Sequence, residues 1–290
     1  MHLNQKLDAY IIQKTTQQEN IMLKRNIETI EKAAFVFHGK DTILRKDGKP
    51  LTMNDLTVLR ESTGGGEIWS EPETGITWLL AGNNPLPDEY TAEPVRLYAC
   101  NYDMDEDRYG QLFRAKGMAA WTDETRHCAR CGVRLRPHAE LSALVCEDCG
   151  KVVFPRIEPC VIVLVRKGDR MLLARHNQRN NDMYACIAGF METGETAEHA
   201  VRRELMEETG IKVKNIQYFG TQSWPFPSQL MLAFTAEWES GEPQPQDGEL
   251  ADVGWFLPGE CPNTPKPGSI AYRMIQSFQS KMRKTMRVRN

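Results

Sequence analysis

Residues 189–211 read GFMETGETAEHAVRRELMEETGI, and this stretch decides the fold of the carboxy-terminal half. Thr196 can cap a helix that runs to Glu208, and Gly210 supplies the left-handed stop expected just past such an end. At about 100° per residue, Ala197, Ala200, Val201 and Leu205 form one apolar stripe, so the helix lies on a core. Glu204 and Glu208, four residues apart, fall inside that stripe, and Glu207 lies on its flank. Like charges then face each other where solvation is poor. On a fully exposed helix each glutamate would simply be solvated, but their position on the apolar arc argues against that reading.

Without a cation this arrangement destabilises the helix. Hard divalent ions such as Mg²⁺ take carboxylate oxygens while keeping waters and contacting phosphates, so the helix reads as built for Mg²⁺ and a phosphorylated ligand. Arg203 stands on the side facing Glu207 and can orient it. Gly189 and Gly194 let backbone approach a ligand closely.

Working outward, CVIVLVRKGDRMLLARH (160–176) is a strand, a Gly-Asp turn and a second strand, and QLMLAFTAEW (229–238) and VGWFL (253–257) add more. The second half is therefore α/β. Upstream, Cys128-x-x-Cys131 and Cys146-x-x-Cys149 are separated by fourteen residues. Four thiolates in such pairs suit a closed, structural Zn²⁺ site, one ion per chain, and Gly132 and Gly150 suit the turns that aim N–H groups at sulfur. Redox or merely buried cysteines are the plainer alternative. With few basic or aromatic residues, the ribbon reads as a scaffold rather than a nucleic-acid reader.

RYGQLFRAKGMAAWTDET (108–125) resumes helical spacing and leads into the first cysteine pair. Before it, FVFHG, DTILRKDG, EIWS and GITWLLAG are short β-type runs between turn residues, giving a small, mostly β domain that ends near Pro94. Residues 3 to about 34 are polar with loosely helical apolar spacing. The division expected is an amino-terminal, mostly β domain with a helical extension (1–100), a connecting helix (101–126), the zinc ribbon (127–157) and a catalytic domain (158–290).

Thirty-six basic and 39 acidic residues give a formal charge of -3, so no global field draws in nucleic acid or an anionic membrane. The basic residues Lys281, Arg283, Lys284, Arg287 and Arg289 read as a solvated helix end. No apolar run reaches the roughly 18 residues that span a bilayer, and the opening residues lack the layout of a secretion signal. Cytoplasmic location is expected. Cys100, Cys160, Cys186 and Cys261 share no close spacing and receive no chemistry.

The segment Gly189-x5-Glu195-x7-Arg203-Glu204-Leu205-x-Glu207-Glu208-x-Gly210-Ile211 matches the Nudix hydrolase box without a departure. This resemblance implies an α/β/α sandwich and hydrolysis of a nucleoside diphosphate joined to another group. It also implies Mg²⁺ or Mn²⁺ held by Glu204, Glu207 and Glu208, with Glu208 helping to activate water.

Further on, TQSWPFPS (221–228) sets two aromatics between prolines, a stiff loop able to stack a flat ring or to plug a sheet edge. It resembles the SQPWPFPxS signature of NADH pyrophosphatases, a subfamily with a four-cysteine zinc ribbon. Gln222, Trp224, Pro225, Phe226 and Pro227 match, whereas Thr221 replaces Ser, Ser223 replaces the first Pro, and Gln229 stands where Ser is usual. These departures leave discrimination between NADH and NAD⁺ open.

The likeness adds Glu249 as a metal ligand, and Phe154, Ala188, Phe190, Gln222, Ser223, Trp224, Pro225, Phe226, Pro227, Ser228, Gln229 and Ala271 as a dinucleotide pocket. Arg96, in PVRLY, matches too loosely to receive a role. The subfamily also implies a homodimer and, in some members, removal of NAD caps from RNA 5′ ends. Two alternatives stand beside it: a Nudix enzyme for another diphosphate such as ADP-ribose, and a non-catalytic dinucleotide-binding zinc-ribbon protein.

Overall fold

In the chain's computed structural model, residues 33–101, 106–177, 182–246, 248–260 and 263–289 are described. The amphipathic helices expected before residue 34 lie, up to residue 32, outside them. Strands β1 (Ala34–His38) and β2 (Asp41–Arg45) form a hairpin turning at Gly39, which holds φ at 56°. Helix α1 (Met53–Thr63) follows, then β3 (Ile68–Ser70), β4 (Thr77–Leu80) and β5 (Tyr90–Pro94), giving a sheet of order β3-β4-β1-β2-β5.

Helix α1 was not anticipated among the β runs. Its signals are local: Thr52 and Asp55 form a reciprocal capping box, Gly64 closes the other end at φ 70°, and Leu56, Leu59 and Thr63 face inward. Asp55 is buried. That burial would raise its pKa, but hydrogen bonds from Thr52, from Tyr90 Oη (2.6 Å) and from Arg45 Nη1 (2.7 Å) outweigh it and hold the carboxyl at about 2. A depressed carboxylate contributes stability that is complete above its unfolded value near 4 and lost as pH falls toward 2. The melting-temperature gap between wild type and Asp55→Asn should therefore be full at pH 5 and close progressively from pH 4 to pH 2. Thermal melts across that range check it, and a gap that is constant with pH would sink the assignment.

Helix α2 (Val95–Asn101) leads to helix α3 (Glu106–Glu124), which covers most of the helical spacing read over 108–125. Leu112, Phe113, Ala115, Met118 and Ala119 are buried in a core shared with Phe37, Trp78 and Val95. The Glu71 carboxylate, fully buried, accepts from Arg114 Nε at 2.7 Å, pinning α3 to the sheet.

Three two-residue strands, β6 (Arg136–Pro137), β7 (Leu144–Val145) and β8 (Val152–Val153), carry the cysteine knuckles. Then come β9 (Glu158–Lys167), β10 (Arg170–His176), β11 (Ile187–Phe190), helix α4 (Ala197–Thr209), β12 (Lys212–Trp224), β13 (Gln229–Ser240), β14 (Leu250–Phe256) and helix α5 (Ile270–Arg289). The sheet order is β12-β13-β9-β10-β14, with β11 also on β9.

Strand β9 runs parallel to β13 and is buried on both faces, which is why it reads as an unbroken apolar run. Val161, Val163 and Val165 meet Ala200, Val201 and Leu205 of α4 on one side. Cys160, Ile162 and Leu164 meet Ile270, Met274, Ile275 and Phe278 of α5 on the other. The result is the α/β/α sandwich implied above. No helix among the described residues is long and apolar enough to cross a membrane.

One expectation needs correction. Residues 221–224 are not loop but the end of β12, paired as Thr221↔Leu232, Gln222↔Met231, Ser223↔Leu230 and Trp224↔Gln229. Only 225–228 form the turn. The β-ladder overrides the proline-rich composition because both prolines fall past the last paired residue.

Candidate active site

Helix α4 presents its acidic residues as its periodicity requires. Glu208 is 2% exposed, Glu204 is largely buried, and Glu207 is half-exposed on the flank. Arg203 organises them. Its Nη1 donates to Glu204 Oε1 at 2.8 Å and Glu207 Oε2 at 3.0 Å, while Nε and Nη2 form a two-pronged pair with Glu195, both at 2.9 Å. Nη2 also donates to the Phe190 carbonyl at 2.9 Å, so one guanidinium ties the glycine-bounded loop to the helix. Glu195 as a partner was not read from the sequence, although it is a fixed position of the motif.

Gly189 fits against this cluster because it has no side chain: a Cβ there would lie 1.9 to 2.2 Å from the carboxyl atoms of Glu204. Burial pushes the Glu204 carboxyl up, Arg203 pulls it only partly back, and the charges of Glu207 and Glu249 add to the rise. A cradle of mutually repelling carboxylates, two of them buried or largely so and two open to solvent, is chemically suited to a hard divalent cation, which relieves the repulsion.

These groups open on a cleft of about 910 Å³. Arg203, Glu204, Glu207, Glu208 and Glu249 line it. Ala188, Phe190, Gln222, Trp224, Phe226, Gln229 and Ala271 line the rest, so seven expected pocket residues are brought to the carboxylates. Five are not. Phe154, Pro227 and Ser228 line a separate cavity of about 370 Å³ beside α3. Ser223 alternates to the opposite face of β12 from Gln222 and Trp224. Pro225 is buried beside Gly117.

The aromatic faces are less open than the sequence suggested. Trp224 and Phe226 meet each other at 67°, and both rest edge-on against buried Phe113, each at 5.8 Å. Arg96, given no role from sequence, lines the cleft with its guanidinium 4.4 Å from the Phe226 ring centroid and 5.5 Å from that of Trp224. Its signal lay only in PVRLY, because the contact joins residues more than a hundred positions apart. Cys160 and Cys186 also line the cleft, and burial pushes both thiols up to about 12, so they stay protonated.

The four knuckle cysteines converge, with all ligand atoms within 4.8 Å of one another. Cys128 and Cys149 Sγ are 3.7 Å apart, and Cys131 and Cys146 Sγ are 3.4 Å apart. A tetrahedral site with Zn–S near 2.3 Å needs sulfurs roughly 3.8 Å apart, so the residues fit zinc. Gly132 and Gly150 adopt φ of 77° and 67°, and the Arg130 N–H donates to Cys128 Sγ at 3.4 Å.

A family model described as NUDIX domain matches residues 156–278. The NAD-capped RNA hydrolase NudC of Vibrio vulnificus (strain CMCP6) is 38% identical over 249 residues, which span 86% of this chain and 93% of that protein. The chain belongs to the Nudix hydrolase family. The NAD-capped RNA hydrolase NudC of Chromobacterium violaceum is 45% identical over 170 residues, 59% of this chain and 64% of its own length. Among solved structures, a Nudix hydrolase from Nitrosomonas europaea aligns over 55% of this chain and 91% of that one, at 23% identity and TM-score 0.45. The Nudix box of this chain is thus the segment Gly189 to Ile211 that carries Arg203 and the three glutamates.

Proposed function

We propose that this Nudix hydrolase cleaves the diphosphate of NADH or NAD⁺ to nicotinamide mononucleotide and AMP, and removes NAD caps from RNA 5′ ends. The observation that carries the reading is the single cleft lined both by the α4 carboxylates and by Arg96, Trp224 and Phe226. A charged bond and a flat ring are then served at once. The relatives named above act on NAD-capped RNA, which fits both halves of that cleft.

A divalent ion, Mg²⁺ or Mn²⁺, held by Glu204, Glu207, Glu208 and Glu249 supplies charge neutralisation and a lowered pKa for water. The chain's own groups do the rest. Glu208 accepts the proton as water's oxygen bonds to one phosphorus and the bridging oxygen leaves with the other nucleotide. Arg203 holds Glu204 and Glu207 in place. Trp224, Phe226 and Arg96 orient a ring. Zn²⁺ on the four cysteines keeps the ribbon folded, and the free thiolates it needs support a reducing, cytoplasmic setting.

Phe154 and Ile157, 60% and 65% exposed, are large apolar side chains on the segment leaving the ribbon, and they support a homodimer seated there. Product identification after separate incubation with NADH, ADP-ribose and diadenosine polyphosphates, each in Mg²⁺ and in Mn²⁺, tests the substrate. NADH should be converted fastest, to the reduced mononucleotide and AMP. Faster cleavage of ADP-ribose would keep the chemistry and discard the dinucleotide.

A further inference from the structure

The aromatic side of the cleft is backed by residues the Nudix box does not contain. On α3, Tyr109, Phe113 and Gly117 stand at i, i+4 and i+8, one stripe of a helix. Each meets the end of β12 or the turn that follows it. Tyr109 Oη accepts from Gln222 Nε2 at 2.8 Å and donates to the Gly268 carbonyl at 2.7 Å. Phe113, 1% exposed, underlies Trp224 and Phe226. Gly117 lies against Pro225, where even a Cβ would come to 3.5 Å.

Gln222 is fully engaged in this structure. Its Nε2 donates to both Tyr109 Oη and the Gly268 carbonyl, each at 2.8 Å, and its Oε1 accepts from the Ile270 N–H at 2.6 Å. The amide has no donor left to offer a ligand. It links β12, α3 and the start of α5, where Ile270 and Ala271 line the cleft.

We infer that Tyr109 and Phe113 are positioning residues for substrate: through Gln222, Trp224 and Phe226 they fix the ring-holding wall at its distance from the α4 carboxylates. The inference rests on the dinucleotide reading above. It assigns substrate affinity to a helix that lies before the zinc ribbon in the chain.

The test is steady-state kinetics with NADH on the full-length, zinc-loaded Tyr109→Phe and Phe113→Leu proteins, with a thermal melt of each. Tyr109→Phe removes one hydroxyl and keeps the ring, which is tilted against Phe113 at 4.2 Å. Its KM for NADH should rise roughly three- to tenfold, with kcat within about twofold and an unchanged melt. Phe113→Leu should raise KM on the order of tenfold or more as both edge contacts are lost. If Phe113→Leu fails to fold, Tyr109→Phe alone decides. An unchanged KM in folded Tyr109→Phe, or a fall in kcat as large as the rise in KM, overturns the inference and leaves the substrate assignment standing. A wild type that does not cleave NADH removes that assignment and the inference together.

Discussion

Glu208→Gln should lower kcat for NADH by about 10² to 10⁴, the range expected when a positioned proton acceptor is lost, while the protein keeps its fold and its zinc. The substitution preserves shape and removes a charge from a side chain only 2% exposed. Glu208 lines the cleft with Glu204, Glu207 and Glu249, and the charges of the last two already push the Glu204 carboxyl up. An amide of the same shape escapes the desolvation cost of a buried charge, so the melting temperature of the metal-free protein should hold or rise while activity collapses. Turnover at the wild-type level by a zinc-replete variant would overturn the role, because no second group of clustered carboxylates lines this cleft among the described residues.

Gly189→Ala should lower kcat by about a hundredfold through geometry alone. The added methyl would sit 1.9 to 2.2 Å from the Glu204 carboxyl, far inside contact, so that carboxyl must move. It is not free to swing without cost, since Arg203 grips it at 2.8 Å and shares the same nitrogen with Glu207. Either the carboxylate leaves the cluster or the loop backs away from the helix. Displacements near 1 Å at a reacting centre cost about 10² in rate. The variant should also need a higher Mg²⁺ concentration for half-maximal activity. Metal titration alongside kcat checks both effects, and an unchanged metal requirement would mean that Glu204 does not hold the ion.

The parts of the site legible in sequence are those written locally. Thr196, the apolar stripe and Gly210 specify α4, and 3.6-residue periodicity alone puts Glu204 and Glu208 inward and Glu207 at the edge. The knuckle cysteines are likewise a short-range pattern. What escaped the sequence is set by contacts between distant segments. Arg96 reaches the rings of 224 and 226, Tyr109 meets Gln222, and Phe154 parts from the cleft it was expected to line. No period or spacing encodes such pairings. Helix α1 differs, for Thr52, Asp55 and Gly64 announced it, but the β-branched and aromatic runs on either side dominated the reading.

The bracing of Trp224 and Phe226 by Phe113 has a consequence for how such an enzyme can change. On the proposed reading, bond cleavage is encoded downstream of residue 187 and the back of the substrate wall near residue 110, on the far side of the ribbon. Mutations in that helix can retune which molecule is accepted without touching the apparatus that breaks it. The two traits are inherited on one chain yet can drift separately.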